Sequence, residues 1–239
     1  MSLPAHGMAE RLAPGVYRVD ALRLRNAVNV LLLEGEGGWT LVDTGVASSV
    51  PRIGAVLSAL GPGLEGLRRV FLTHQHTDHT GGLKGILERA PEAEVWAPEH
   101  EADVISGRRG YDPQSGRLLR LMSRKARPPG VRVDRVLRAG EAVEGFRLIA
   151  TPGHTPGHVS MLRDADGLLF TADAFGCMPR RLRVGVRRAF CTDPPAARRS
   201  AQRLLQEDFA AAVMSHGPVL RGAEARERLA GALAGCDYA

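Results

Sequence analysis

Apolar positions along the chain follow two rhythms: short runs ending in Asp, Gly or His, and longer stretches with helical spacing. Val16 to Asp20, Ala27 to Glu34 and Trp39 to Asp43 predict an opening set of strands, with turn chemistry at Gly35-Glu36-Gly37-Gly38. A helix is expected near Ser48–Leu60. Arg69-Val70-Phe71-Leu72 reads as a short buried strand, and Thr80 to Ala90 as a helix with Gly81-Gly82 in its first turn. A strand at Glu94–Ala97 precedes a helix over Pro98 to Ser106, opened by its proline. The pattern weakens from Gly107 to Gly130, where Gly116 to Lys125 has the look of a basic helix and Arg127-Pro128-Pro129-Gly130 breaks it. Strand character returns at Val131 to Leu137, Phe146 to Ala150, Leu168 to Asp173 and Ala210 to Ser215. No linker or solenoid repeat divides the chain, so residues 1–239 are expected to form a single domain with a basic insertion at about 107–130.

The ends of these runs carry the chemistry. Thr73-His74-Gln75-His76-Thr77-Asp78-His79-Thr80-Gly81-Gly82 places three imidazoles and a carboxylate within six positions, where a strand stops and a helix starts. Such a donor set suits Zn, Fe or Mn better than Mg or Ca. His74 and His76 can reach one ion if the turn lets them converge, while Asp78 and His79 lie beyond it on the side of a second. A polar loop in which Asp78 merely caps the next helix is the plain alternative. Further candidates downstream weigh against that. In Thr151-Pro152-Gly153-His154-Thr155-Pro156-Gly157-His158, two prolines and two glycines make a rigid turn directly after a strand. His154 is the better ligand candidate there, and His158, opening the next strand, suits a structural hydrogen bond. Asp173 and His216 end two more apolar strands. Asp43, in Asp43-Thr44-Gly45, either orients a ligand as a hydrogen-bond acceptor or caps the helix that follows. His100 has no ligand partner nearby in sequence and reads as a surface imidazole.

Composition changes this picture only at the margins. The chain has 239 residues and a formal net charge of +6, which raises the question of nucleic acid. Of its 32 basic residues only Lys84 and Lys125 are lysine, the mark of a chain-wide drift to arginine. Ten basic residues fall in 108–138 against Asp112 and Asp134, and Arg180, Arg181, Arg183, Arg187 and Arg188 form a second cluster. A solvated basic surface accounts for both, and a groove for an anionic substrate is the sharper alternative. No apolar run approaches a membrane span, and Met1 to Leu12 have neither a basic start nor an apolar stretch. A cytoplasmic protein without a membrane partner is therefore expected. Cys177, Cys191 and Cys236, odd in number and without a CxxC, read as free thiols.

Together these residues resemble the metallo-β-lactamase superfamily. Its HxHxDH signature stands as His74-Gln75-His76-Thr77-Asp78-His79, followed by single positions at His154, Asp173 and His216. The Asp43-Thr44-Gly45 element and the TPGHTPGH turn resemble it too, so the likeness spans about residues 16 to 230, the turn being closest to glyoxalase II. The resemblance implies an α/β fold, a four-layer αββα sandwich of two mixed sheets flanked by helices. It implies two divalent ions, with His74, His76 and His154 on one, Asp78, His79 and His216 on the other, and Asp173 bridging. The function so implied is a binuclear hydrolase, with Asp78 as a catalytic residue and a metal-bridging hydroxide attacking a small ester, thioester or lactone. The rivals are a mononuclear iron sulfur dioxygenase, a phosphodiesterase or nuclease, and a nucleic-acid-binding member of the same fold. Substrate-binding residues and oligomeric state are not legible.

Overall fold

The computed structural model describes residues 8–123, 126–178 and 181–238; Lys125 and Arg180 lie outside them. The first half builds a seven-stranded sheet in chain order. Its strands are β1 (Ala9–Ala13), β2 (Val16–Asp20), β3 (Asn29–Gly35), β4 (Gly38–Val42), β5 (Leu67–Phe71), β6 (Glu94–Pro98) and β7 (Arg135–Leu137). Strands β1 to β4 pair antiparallel and β4 to β7 parallel, so the sheet is mixed. A second, six-stranded sheet holds β8 (Ala142–Val143), β9 (Phe146–Ala150), β10 (Val159–Arg163), β11 (Leu168–Ala172), β14 (Ala211–Met214) and β15 (Leu220–Arg221). A separate two-stranded ribbon is formed by β12 (Phe175–Cys177) and β13 (Leu182–Val184).

Side-chain alternation explains how the sheets stack. Along β3, Leu31 and Leu33 turn towards the second sheet while Val30 and Leu32 turn the other way. Phe170 and Leu168 on β11 answer the first pair, and Leu169 faces outward. Three apolar cores result. One lies between the sheets, around Phe71, Phe146 and Phe170. A second joins the first sheet to helices α1 (Val50–Leu60), α3 (Leu83–Leu87) and α4 (Glu99–Ile105), of which α3 follows a one-turn α2 (Thr77–Thr80). The third joins the second sheet to α6 (Pro194–Leu204) and α7 (Gly222–Ala234), which come after the short α5 (Arg117–Ser123). The layer order is helix, sheet, sheet, helix, an αββα sandwich.

Local chemistry sets the helix limits. Pro51 stands in the first turn of α1 and Gly61, at φ 113°, ends it. Asp193 caps α6 by accepting the Ala196 N–H at 2.9 Å, ahead of Pro194 and Pro195. Two expected elements differ. Thr80 to Ala90 is not one helix, because the Gly82 N–H is drawn to the Gly45 carbonyl and the Thr44 hydroxyl. A side chain at Gly82 would meet the Thr44 carbonyl oxygen at 2.4 Å, so helix α2 stops and α3 starts afresh. Of Val131 to Leu137 only Arg135–Leu137 pairs as strand, since Asp134 clasps Val95 with its N–H and its carboxylate instead. Among the described residues no helix is long and apolar enough to cross a membrane.

Candidate metal centre

Strands β4 and β5 run parallel, and β9, β11 and β14 run parallel to one another in the facing sheet. Their carboxyl ends therefore open at one edge of the sandwich, where ligand sites of mixed α/β folds gather. Asp43 follows β4, His74 and His76 follow β5, His154 follows β9, Asp173 follows β11 and His216 follows β14. Asp78 and His79 join them from α2. Two of these ends carry left-handed backbone on non-glycine residues, Asp43 at φ 60° and Ala172 at φ 44°. Each such conformation costs about 1–3 kcal/mol and turns the chain out of its ladder. At Ala172 it coincides with a register shift against β14, and it delivers Asp173 to the cluster.

The donor atoms fall into two groups. Those of His74, His76, His154 and Asp173 lie within 4.8 Å of one another, as do those of Asp78, His79 and His216. The Asp173 carboxylate reaches both groups, at 3.2 Å from His154 Nε2, 3.4 Å from His216 Nε2 and 3.5 Å from His79 Nε2. Ligands around a tetrahedral Zn at ordinary Zn–N lengths stand about 3.3 Å apart, so these spacings fit an ion.

Ring orientation makes the stronger test. A metal-binding imidazole ties its second nitrogen to an outer acceptor. His79 Nδ1 donates to Asp43 Oδ2 at 2.8 Å, His154 Nδ1 to the Gly185 carbonyl at 3.2 Å and His216 Nδ1 to the Ala27 carbonyl at 2.5 Å. His74 Nδ1 donates to the Thr73 hydroxyl at 3.0 Å, which passes its own proton to Asp43 at 2.8 Å. His76 turns its Nε2 to the Gln114 amide at 3.0 Å, whose oxygen accepts that proton when it faces the ring. Every one of the five rings thus aims its remaining nitrogen inward. His74 Nε2, His79 Nε2 and Asp173 Oδ1 are buried there without a hydrogen-bond partner. His154 Nε2 and His76 Nδ1 face each other at 2.8 Å, a contact of two lone pairs that a cation relieves. The residues present fit a metal pair.

Charge follows the same plan. Burial pushes His76 down to about 3, with repulsion from His154 adding to it, and holds His74 well below its ordinary value. Burial opposes the charge on His216, yet the Asp173 and Asp78 carboxylates overcome it and raise that imidazole to about 10. Asp173 stays well below the usual carboxylate range: burial works against it, but His216, His79 and His154 prevail. Asp173 as an anion and His74 and His76 as neutral rings are in the states that cations need. Burial opposes charge on His79 and His216 too, but the carboxylates around them hold both rings protonated, so an ion bound there would take the place of their inward protons.

His158 occupies a different position. Its Nδ1 meets the Thr151 hydroxyl at 2.7 Å and its Nε2 accepts the Asp173 N–H at 3.0 Å, so neither nitrogen is left for an ion. It sets the backbone that carries Asp173. Asp43 does not cap α1, since both its oxygens are taken by Thr73 and His79. His100 is no isolated surface imidazole: it is half-buried, 3.2 Å from Asp112 and in contact with Arg109. Cys177 is half-buried and does not line the cavity above the donors; its N–H supports the His216 carbonyl at 2.5 Å.

The 107–130 segment touches the cluster through residues that no pattern had marked. Besides Gln114 on His76, Asp112 accepts the Gln75 side-chain amide at 2.7 Å and returns its own N–H to Gln75 Oε1 at 2.8 Å. Arg109 is turned away, paired with Asp112 at 2.7 Å. Beneath Gln75, buried Glu101 of α4 accepts from Gln75, Thr155 and Gly157. Arg181, Arg183, Arg187 and Arg188 line a cavity of about 710 Å³ that shares no residue with the one above the donors. Among the described residues no arginine or lysine lines the cavity above the donors, so the alternative of an anionic groove draws no support there.

The family model described as the metallo-beta-lactamase superfamily matches residues 23–216. The chain belongs to that superfamily. Among curated relatives of the superfamily, the uncharacterized protein YobT of Bacillus subtilis (strain 168) is 30% identical over 221 residues, 85% of this chain and 88% of its own. The probable metallo-hydrolase YflN of the same strain is 29% identical, covering 70% of this chain and 67% of its own. A hydroxyacylglutathione hydrolase of Salmonella paratyphi B is 31% identical over 129 residues, 54% of this chain but 40% of its own. A metallo-beta-lactamase family protein from Thermus thermophilus has a similar structure, with TM-score 0.68 and 25% identity over 94% of this chain and 80% of that one.

Proposed function

We propose that the protein is a binuclear metal-dependent hydrolase of a small ester, thioester or lactone. His74, His76 and His154 would hold one divalent ion, Asp78, His79 and His216 the second, and Asp173 would touch both. Zn suits the set best, and Fe or Mn also suits it. Bound there, the pair would lower the pKa of a shared water towards neutrality and polarise the acyl carbonyl. The protein's own share is to fix the donors, to keep His74, His79 and His154 buried from bulk water, and to offer Asp78 at the cavity. Asp78 is the carboxylate of the cluster most open to that space, 37% exposed and 3.2 Å from His216 Nε2. Burial opposes its charge, but His79 and His216 hold it well below the usual carboxylate range, so it stays an anion that would present its oxygens to the second ion beside the substrate.

The observation that carries this reading is the set of five imidazoles, each tied outward on one nitrogen and aimed inward on the other. A single-ion redox centre would leave the Asp78, His79 and His216 donors without a task. A nucleic-acid module draws no support from arginines that surround a separate cavity. The test is a metal inventory of purified protein combined with turnover on a panel of esters, thioesters, lactones and phosphodiesters. Two ions per chain with hydrolysis of carboxylic substrates are expected, and Asp78→Ala should retain about one ion and lose most turnover. Full activity after exhaustive chelation, or wild-type turnover by Asp78→Ala, would reject the proposal.

A further inference from the structure

The cavity above the donor cluster encloses about 540 Å³, a size suited to a small-molecule site. Its floor is polar, with His76, Asp78, His154, Asp173 and His216. Its walls are mainly apolar, with Leu22, Val28, Leu119, Met178, Val186 and Phe190, while Thr77, Tyr111, Asp112, Gln114 and Ser123 add uncharged polar groups and one carboxylate to the lining. Of the six apolar residues, Val28 and Val186 are buried, and the other four are half-buried. Among the described residues no arginine or lysine lines it.

The wall bearing Leu119 is fastened in place. The Ser115 N–H donates to the Cys191 carbonyl at 2.7 Å, the Gly116 N–H to the Ala189 carbonyl at 3.0 Å, and the Ser115 hydroxyl to the Arg188 carbonyl at 2.6 Å. A side chain at Gly116 would stand 2.9 Å from the Ala189 oxygen, so α5 can come this close only with glycine there. The part of the lining that bears Val28 is tied to the cluster itself, because the Ala27 carbonyl beside it accepts the His216 proton. Val186 adopts the left-handed backbone at φ 63°, a costly conformation for a β-branched residue, and in it lines the cavity. An apolar box with a polar floor selects ligands that are apolar at one end and hold a carbonyl at the other.

We propose that the substrate is an uncharged carboxylic ester or lactone with an apolar chain, the carbonyl over the donor cluster and the chain against Leu119, Val186 and Phe190. This rests on the hydrolase reading above. Two series separate the two ideas. Metal-loaded protein is assayed on p-nitrophenyl esters from acetyl to octanoyl beside the hemisuccinate, and binding of N-alkyl acetamides from ethyl to octyl, which resist hydrolysis, is measured by calorimetry. Both kcat/KM and affinity should rise about two- to fourfold per methylene until the cavity is filled. Leu119→Ala and Phe190→Ala should flatten the slope, and Arg187→Ala, at the other cavity, should leave it unchanged. Chain-length-dependent amide binding without any ester turnover would reject the hydrolase and keep the apolar site. Flat amide binding, or preference for the anionic hemisuccinate, would overturn the apolar site whatever the turnover.

Discussion

Gln75 and Glu101 meet twice: Glu101 Oε2 accepts the Gln75 backbone N–H at 2.8 Å and its side-chain amide at 3.0 Å. The other oxygen accepts the Thr155 hydroxyl at 2.8 Å and the Gly157 N–H at 2.7 Å. One buried carboxylate thereby joins the loop bearing His74 and His76 to the turn bearing His154. An amide in its place accepts on one side only and points N–H groups at donors on the other. Unpaired buried donors cost about 1–3 kcal/mol each, so Glu101→Gln should lose about 2–4 kcal/mol of unfolding free energy. Chemical denaturation of metal-free protein measures that loss. Metal retained after dialysis should fall alongside, and a variant matching wild type in both would remove Glu101 from this role.

Asp43 orients two inward-facing rings, His79 directly and His74 through Thr73. Asp43→Asn preserves its size, and asparagine tolerates the left-handed backbone at φ 60°, so folding should be little disturbed. An amide accepts one of the two partners and repels the other. Loss of such an outer partner typically weakens metal binding 10–100-fold, and a loss of that order is expected from competition with a graded chelator. Equal affinity in the variant would show that the rings hold their places unaided.

Most of the candidate donors were legible before the fold because they follow apolar runs, as Asp173 ends Leu168–Ala172 and His216 follows Ala211–Met214, while Asp78 and His79, on α2, stood out only by their closeness to His74 and His76. Glu101 was not legible. Its partners lie 26 and 56 positions away, and nothing local distinguishes it from exposed Glu99 on the same helix. Helix α6 carries a clear start in Asp193-Pro194-Pro195, but its buried face of Ala197, Ser200 and Ala201 is too weakly apolar to stand out. Strands β8 and β15, two residues each, are too short to show a period. Gln114 and Asp112 lie in the segment with the weakest pattern, and only the packing of that segment on the cluster reveals them.

Gly153 tests the turn that carries His154. It adopts φ 129°, and a side chain there would lie 2.0 Å from the Ala197 nitrogen and 2.7 Å from the Ala196 carbonyl carbon. Both are backbone atoms of α6, whose start is pinned to the turn by the Asp193 N–H on the Gly153 carbonyl. Neither side can yield without unseating the other. Gly153→Ala should therefore cost at least about 3 kcal/mol. For a chain of this size that lowers Tm by roughly 6–12 °C in a thermal scan. A shift within 2 °C, on the order of half a kcal/mol by the same conversion, would mean the turn is looser than its contacts imply.

Leu118 and Leu119 are neighbours on α5 with opposite surroundings. Leu118 is 70% exposed, while Leu119 lines the cavity. Phe170, fully buried between the two sheets, gives the scale for a core position. Phe170→Ala removes a packed ring and leaves a void, which costs about 3–5 kcal/mol. Leu118→Ala removes only surface contact and should stay within about 0.5 kcal/mol of wild type. It should also leave the dependence on acyl chain length intact, whereas Leu119→Ala flattens it. Denaturation curves and the ester series, run on the three variants together, separate core, wall and surface. A loss of chain-length dependence in Leu118→Ala equal to that in Leu119→Ala would show that α5 contributes through its own folding and not through the side chain it presents to the cavity.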